Sequence, residues 1–245
     1  VSTRQDQAVT LRLTEFSETS QIATLFTADH GLLRLIAKGA RRSTRTRFAP
    51  GLDLLELGDL AFSPARGDAR LGTLTEWRQR QAFIGLRREP LRLHAGLYAI
   101  ELVAALTEEG DPHPTLFQAL VHLLAKLAGP GPAEPQIPIF QTALLHAIGY
   151  LPTFDRCAAC QRPPPRRGVL HFSAEAGGLL CRDCEGPYID KQRMDSRLVG
   201  TTPETGPPMA WFTLLDYHLT QIAGQRFKTA TALSEMLGRN RSRNL

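Results

Sequence analysis

Cys157-Ala158-Ala159-Cys160 and Cys181-Arg182-Asp183-Cys184 hold all 4 cysteines of a 245-residue chain, and their spacing is the tightest constraint on how it can fold. Each C-x2-C pair can form a knuckle that points two thiolates at one centre, and two knuckles close a sulfur tetrahedron suited to zinc. Gly177-Gly178 lets the chain turn sharply before the second pair, and Val169–Phe172 can pair with Leu179-Leu180 as a short hairpin. Paired disulfides or a redox C-x-x-C are the alternative. Four cysteines confined to one short region of a long chain do not resemble a secreted disulfide framework. Four thiolate ligands leave no open coordination position, so a zinc ion held by Cys157, Cys160, Cys181 and Cys184 would be structural.

The remainder divides by hydrophobic period. Val9–Phe16 alternates, with Val9, Leu11 and Leu13 opposed to Thr10, Arg12 and Thr14, as a half-buried strand does. Gln21–Thr27, Leu32–Lys38, Asp53–Leu57 and Leu71–Trp77 supply further short strands, separated by turn chemistry that includes Gly58-Asp59. Such a run of short strands predicts a small closed barrel, with an OB-fold as the leading candidate. Beyond Pro90 the period becomes helical. Leu93, Leu97, Ile100 and Ala104 mark one helix, Leu116, Leu120, Leu123 and Leu127 a second, and Phe140, Leu144 and Ile148 a third, stopped by Gly149. Met209–Ala223 and a shorter stretch near Ala230–Leu237 follow, and residues 239–243 read as a frayed basic tail. The expected architecture is a multidomain α+β protein, with an OB-fold at residues 1–80, an α-helical domain at 81–245, and a zinc module inserted in it at 154–190.

One stretch of the barrel stands out by charge. Between His30 and Leu52 lie Arg34, Lys38, Arg41, Arg42, Arg45 and Arg47 and no acidic side chain. The period of two puts Arg34 and Lys38 on one strand face, with Leu33, Leu35 and Ala37 toward the core. Gly39 breaks the strand, and the arginines that follow form a basic loop whose natural partner is a polyphosphate backbone, which releases condensed counterions when neutralised. A solvated loop that merely aids solubility is the bland alternative. Among the barrel aromatics Phe16, Phe26, Phe48, Phe62 and Trp77, most are needed to fill the core, and Phe48 beside the basic loop is the candidate for stacking on a base.

The net charge of +5 is unevenly distributed. Residues 1–95 hold 15 basic against 10 acidic side chains, 96–153 hold 1 against 5, and 154–245 hold 13 against 9. An anionic polymer suits the ends and another protein surface suits the middle. No apolar run approaches the roughly 18 residues that span a bilayer, and a cytoplasmic protein is expected. Phosphate-loop, H-E-x-x-H and G-x-S-x-G signatures are absent, so no enzyme is expected. The histidines His94, His122 and His146 fall on helices where packed or surface roles are commoner than ligation.

Several segments, in this order and spacing, resemble the RecO family of bacterial recombination mediators over nearly the full length. They are Ser17-Glu18-Thr19-Ser20, Phe26-Thr27 with Gly31, Arg34-Leu35-Ile36-Ala37-Lys38-Gly39-Ala40-Arg41-Arg42, Gly96-Leu97-Tyr98-Ala99-Ile100-Glu101-Leu102, Leu144-Leu145 to Gly149-Tyr150, and the two cysteine pairs around Gly177-Gly178-Leu179-Leu180. The resemblance implies an N-terminal OB-fold, a helical C-terminal domain with an inserted zinc module, and a nucleoid-associated cytoplasmic protein. It further implies binding and annealing of single-stranded DNA, contact with double-stranded DNA, association with RecR and the single-strand binding protein SSB, and loading of RecA. Lys38, Arg41 and Arg42 match the family's basic segment, Arg34 joins them by its strand face, and Arg45 and Arg47 rest on charge alone. An RNA- or ribosome-associated OB-fold and zinc protein is the alternative, since both elements also serve RNA. A metal-dependent nuclease built on the acids Glu101, Glu108, Glu109 and Asp111 is the third reading.

Overall fold

The structure, a computed structural model, describes residues 3–40, 48–49, 51–65, 71–164 and 169–243. It divides into two compact units, Val1–Pro130 and Gly131–Leu245. The division is one of packing, whereas the change of hydrophobic period near residue 80 is one of local structure.

The first unit opens with β1 (Arg4–Glu15), β2 (Gln21–Thr27), β3 (Gly31–Ala37), β4 (Phe48–Ala49), β5 (Leu57–Ser63) and β6 (Gly72–Gln81). β1 is long enough to pair on both flanks, with β5 along Arg4–Val9 and with β2 along Ala8–Glu15. A register shift between Thr10 and Arg12 bends it from one partner to the other. β2 pairs antiparallel with β3, β5 with β6, and a parallel pairing of Leu35 with Gly72, Ile36 with Thr73 and Ala37 with Leu74 closes the ring. The result is a closed five-stranded barrel of OB type, to which the two-residue β4 adds along β6. Its interior is filled by Ala8, Ala23, Leu25, Leu35, Ala37, Leu60, Phe62, Leu74 and Trp77, each contributed by the inward positions of a strand.

Two strand readings are corrected. Asp53–Leu57 is not a strand: the chain turns there, with Leu55 at φ +65°, and the strand begins at Leu57 and runs through Gly58-Asp59. Leu55 is buried beside Gly96, and backbone bonds join its N–H to the Thr10 carbonyl and the Thr10 N–H to the Glu56 carbonyl. The apolar residues of this segment therefore plug a gap rather than line a sheet. β1 also starts five residues earlier than its apolar alternation, because Arg4–Asp6 pair with β5 while showing no apolar alternation of their own.

A 3₁₀ turn at Ile84–Arg88 leads into α1 (Pro90–Leu106) and α2 (Pro114–Ala128), which pack against the barrel side of the same unit. Phe117 of α2 lies 6.2 Å from Phe26 of β2, centroid to centroid. The buried positions of α1 are Leu91, Ala95, Gly96, Tyr98, Ala99, Ile100, Leu102 and Val103, not the stripe through Leu93, Leu97 and Ala104. α2 buries Leu116, Leu120, Leu123 and Leu127 as its spacing requires.

The second unit contains α3 (Gln136–Ala147), β7 (His171–Ser173), β8 (Gly178–Leu180), β9 (Gln192–Arg193), α4 (Pro208–Ala223) and α5 (Lys228–Arg243). β7 pairs with β8 in the expected hairpin, Phe172 opposite Leu179, and β9 extends it. Gly224, at φ +64°, ends α4. α5 continues to Arg243, so residues 239–243 extend a helix rather than form a frayed tail.

Candidate functional site

The cysteines are brought together as their spacing demands. The Sγ atoms of Cys157, Cys160, Cys181 and Cys184 all lie within 4.8 Å of one another. Cys160 Sγ and Cys181 Sγ are 3.8 Å apart, and all four cysteines are free of disulfides. A tetrahedron with Zn–S bonds of about 2.3 Å has an edge of about 3.8 Å, so the donor set fits a tetrahedral thiophilic cation. The knuckles are shaped by backbone bonds: Cys157 N–H donates to the Arg162 carbonyl, Cys184 N–H to the Cys181 carbonyl, and Ala158 N–H to the Leu179 carbonyl of the hairpin.

The sulfurs differ in acidity. Burial pushes the Cys157 thiol up, but N–H groups of Cys160, Cys181 and Ala159 outweigh it and bring it down to about 6. The sulfurs of Cys181 and Cys160 push the Cys184 thiol up to about 12. One thiolate is thus formed readily, and full ionisation of the cluster needs a cation to offset the repulsion.

An aromatic cluster and one carboxylate anchor this module to α4. Phe154 meets Trp211 edge to face at 4.8 Å and stacks on Phe172 at 5.8 Å, while Phe172 meets His218 at 5.4 Å. Asp190 accepts from the Ser173 hydroxyl at 2.6 Å, from the N–H groups of Ala174 and Glu175 at 2.7 and 3.1 Å, and from the Tyr217 hydroxyl at 3.1 Å. Burial raises the Asp190 carboxyl, yet these donors hold it below the usual carboxylate range. Neither Asp190 nor His218 is singled out by the sequence. An aspartate with no charged partner reads as surface, and only the hairpin's position reveals its four donors.

The basic stretch is partly described. Leu35 and Ala37 are buried in the barrel, Leu33 packs against that core, Arg34 is exposed on the opposite face of β3, and Lys38 is exposed in the turn that follows the strand. The Arg34 guanidinium lies 3.8 Å from Glu109, with both side chains about half exposed. Lys38 has no acidic partner among the described residues. Arg41, Arg42, Arg45 and Arg47 lie outside the described residues. Phe48 does not stand free as a stacking candidate: it pairs in register with Trp77 and packs against the barrel core. Phe16, which barrel filling would have buried, is instead 59% exposed at the turn between β1 and β2.

Another face of the barrel, among the described residues, carries mixed charge. An open cleft along β1, β5 and β6 is lined by Asp6, Asp29, Asp59 and Glu76 as well as Arg78 and Arg80. Arg80 there is already paired with Asp59 at 2.6 Å. Of the acids considered for a nuclease, Glu109 faces Arg34 and Asp111 lies 3.1 Å from His113. Among the described residues the cysteines form the metal-competent cluster, and no helix is long and apolar enough to cross a membrane.

Comparison with known proteins agrees with this arrangement. The family profile "Recombination protein O N terminal" matches residues 2–83, the barrel, and "Recombination protein O C terminal" matches residues 87–193, through the cysteine module. The chain is 37% identical to the "DNA repair protein RecO" of Rhodopirellula baltica over 72% of its own length and 65% of that protein, just under two thirds. It is 34% identical to the protein of the same name from Pelobacter propionicus, over 74% of this chain and 71% of that one. A similar relation holds to the Bacillus pumilus protein, 29% identical over 75% and 70%. With an OB-type barrel, helices after it and a four-cysteine cluster in the matched region, the chain belongs to the RecO family of DNA repair proteins.

Proposed function

We propose that this protein is a non-catalytic mediator of recombinational repair that binds and anneals single-stranded DNA. With RecR it would help load RecA onto SSB-coated DNA, and duplex DNA would be a second ligand. The observation that carries the reading is the division of β3 and the turn after it: core residues on one strand face, Arg34 exposed on the other and Lys38 exposed just past the strand's end, followed in sequence by Arg41, Arg42, Arg45 and Arg47 with no acidic residue in the stretch. Phosphate contacts that ignore sequence suit annealing, because a protein that gripped base edges would occupy the edges that must pair. Arg34 is available despite Glu109, since a half-exposed ion pair is worth at most about 1 kcal/mol and a phosphate can replace the carboxylate.

The cysteine cluster is assigned to zinc in a structural role. Cys157, Cys160, Cys181 and Cys184 would hold the ion and so fix the hairpin and its contacts to α4, leaving strand binding to the barrel. Zinc bound to such a site supplies folding energy and no reacting position.

Salt titration of oligonucleotide affinity tests the reading. If about six cations meet phosphates, the affinity falls with log salt at a slope near −4. The Lys38→Ala/Arg41→Ala/Arg42→Ala variant is expected to make that slope shallower, to about −2. Equal slopes for the two proteins would remove the basic edge from the account. Tighter binding to structured RNA than to single-stranded DNA would favour the RNA-associated reading, and Mg²⁺-dependent cleavage of labelled DNA would favour the nuclease.

A further inference from the structure

The barrel core takes the aromatic side chains of β2, β5 and β6 but leaves one outside. Phe26, Phe62 and Trp77 are buried and Phe48 rests on the core, whereas Phe16 is 59% exposed. Its turn is well defined. The N–H groups of Phe16 and Ser17 both donate to the Ser20 carbonyl at 3.1 Å, so the ring is carried on a short closed hairpin loop. The main chain beneath the ring therefore needs little ordering when a ligand binds.

The strand register says what lies next to it. Glu15 pairs with Gln21, and Gln21 pairs with Ala37. Phe16 follows Glu15 and Lys38 follows Ala37, so the backbone positions of these two exposed residues lie at the same end of the barrel, two strand spacings or about 10 Å apart across the sheet. An aromatic face beside the start of a basic segment is the combination by which OB-folds hold single strands: stacking on the base, charge on the backbone. Glu15 and Glu18 adjoin the ring in sequence. They disfavour a phosphate at the turn and leave the strand to present a base there, with its phosphates toward Lys38.

Resting on the DNA-binding reading above, we infer that Phe16 is a stacking platform for one unpaired nucleobase of the bound strand. A base held by its π face keeps its pairing edge free. The ring would therefore display the base to an incoming complementary strand, which makes the contact useful for annealing as well as for grip.

The test compares wild type with Phe16→Ala and Phe16→Trp on an intact oligonucleotide and on an abasic oligonucleotide of equal length, which carries the same phosphates without bases. Because Phe16 is mostly exposed, neither variant threatens the core. Phe16→Ala is expected to weaken intact-strand binding about 5-fold or more, to leave abasic binding and the salt slope unchanged, and to slow annealing. The indole introduced by Phe16→Trp is expected to be quenched by the intact strand only, against a background of Trp77 and Trp211, both buried. An equal loss on both strands, an unquenched indole, or unchanged affinity for the intact strand would overturn the assignment. So would loss of self-association in sedimentation without loss of strand binding, which would make the ring a contact between copies. Failure of wild type to bind single strands would instead remove the DNA-binding reading itself.

Discussion

Gly31 shows how closely one residue can be specified by its surroundings. It opens β3 at φ +67°, and a Cβ there would lie 2.1 Å from the Asp111 carbonyl oxygen. The close approach is needed because the Gly110 N–H donates to the Leu32 carbonyl, tying the segment after α1 to the strand that carries Arg34. Gly31→Ala is expected to cost about 2 kcal/mol or more, from backbone strain and the collision together, read as a lower urea midpoint. The glycine was legible as turn chemistry, but not the distant carbonyl that requires it. Phe16 and Phe48 were exchanged for a similar reason. Both flank strands in the sequence, and only the ring closure decides which of them has a core to fill.

At the scale of elements, legibility followed the contrast between faces. α2 alternates large leucines with polar residues, and its buried stripe was readable. α1 is apolar nearly all round and buries the small residues Ala95, Gly96 and Ala99, with the Leu55 and Leu124 side chains close against Gly96. Its burial follows close approach rather than side-chain size, which periodicity does not record. The cysteine-bearing hairpin was legible because two glycines and two cysteine pairs each demand a particular backbone. What holds it to α4 was not, and there Asp190 is the central group. Its folded carboxyl is depressed, so its contribution is present in full above the unfolded value of about 3.9 and is lost as pH falls through the lower folded value. Asp190→Asn is therefore expected to be less stable than wild type by about 1–3 kcal/mol near pH 6, and the gap should shrink below about pH 4. Paired urea denaturation curves at the two pH values check this, and a gap that stays constant with pH would show the charge to be irrelevant.

For the whole molecule, the division into two compact units predicts a local influence for a metal ion held by the four cysteines. Removing the ion with a strong chelator is expected to raise hydrogen exchange across residues 154–190 and the facing turns of α4, while amides of the barrel strands keep their protection. Exchange that rises equally in β1–β3 would mean that the module supports the barrel too. Barrel class and helix order were readable from the chain, since each rests on local alternation and stop signals. The packing of α1 and α2 into the barrel's unit was not, because the residues that join them, such as Leu55 and Gly96, meet only through the folded chain.

The parallel seam between β3 and β6 has a consequence in time. During synthesis β1, β2 and β3 can zip together as they leave the ribosome, each turn between them being short. The outer edge of β3 then waits for Gly72–Leu74, and the free flank of β1 for Leu57–Phe62. For that interval the nascent chain is an open meander with two unguarded edges, and it is there that its need for chaperones and its hazard of pairing with a neighbouring chain should be greatest.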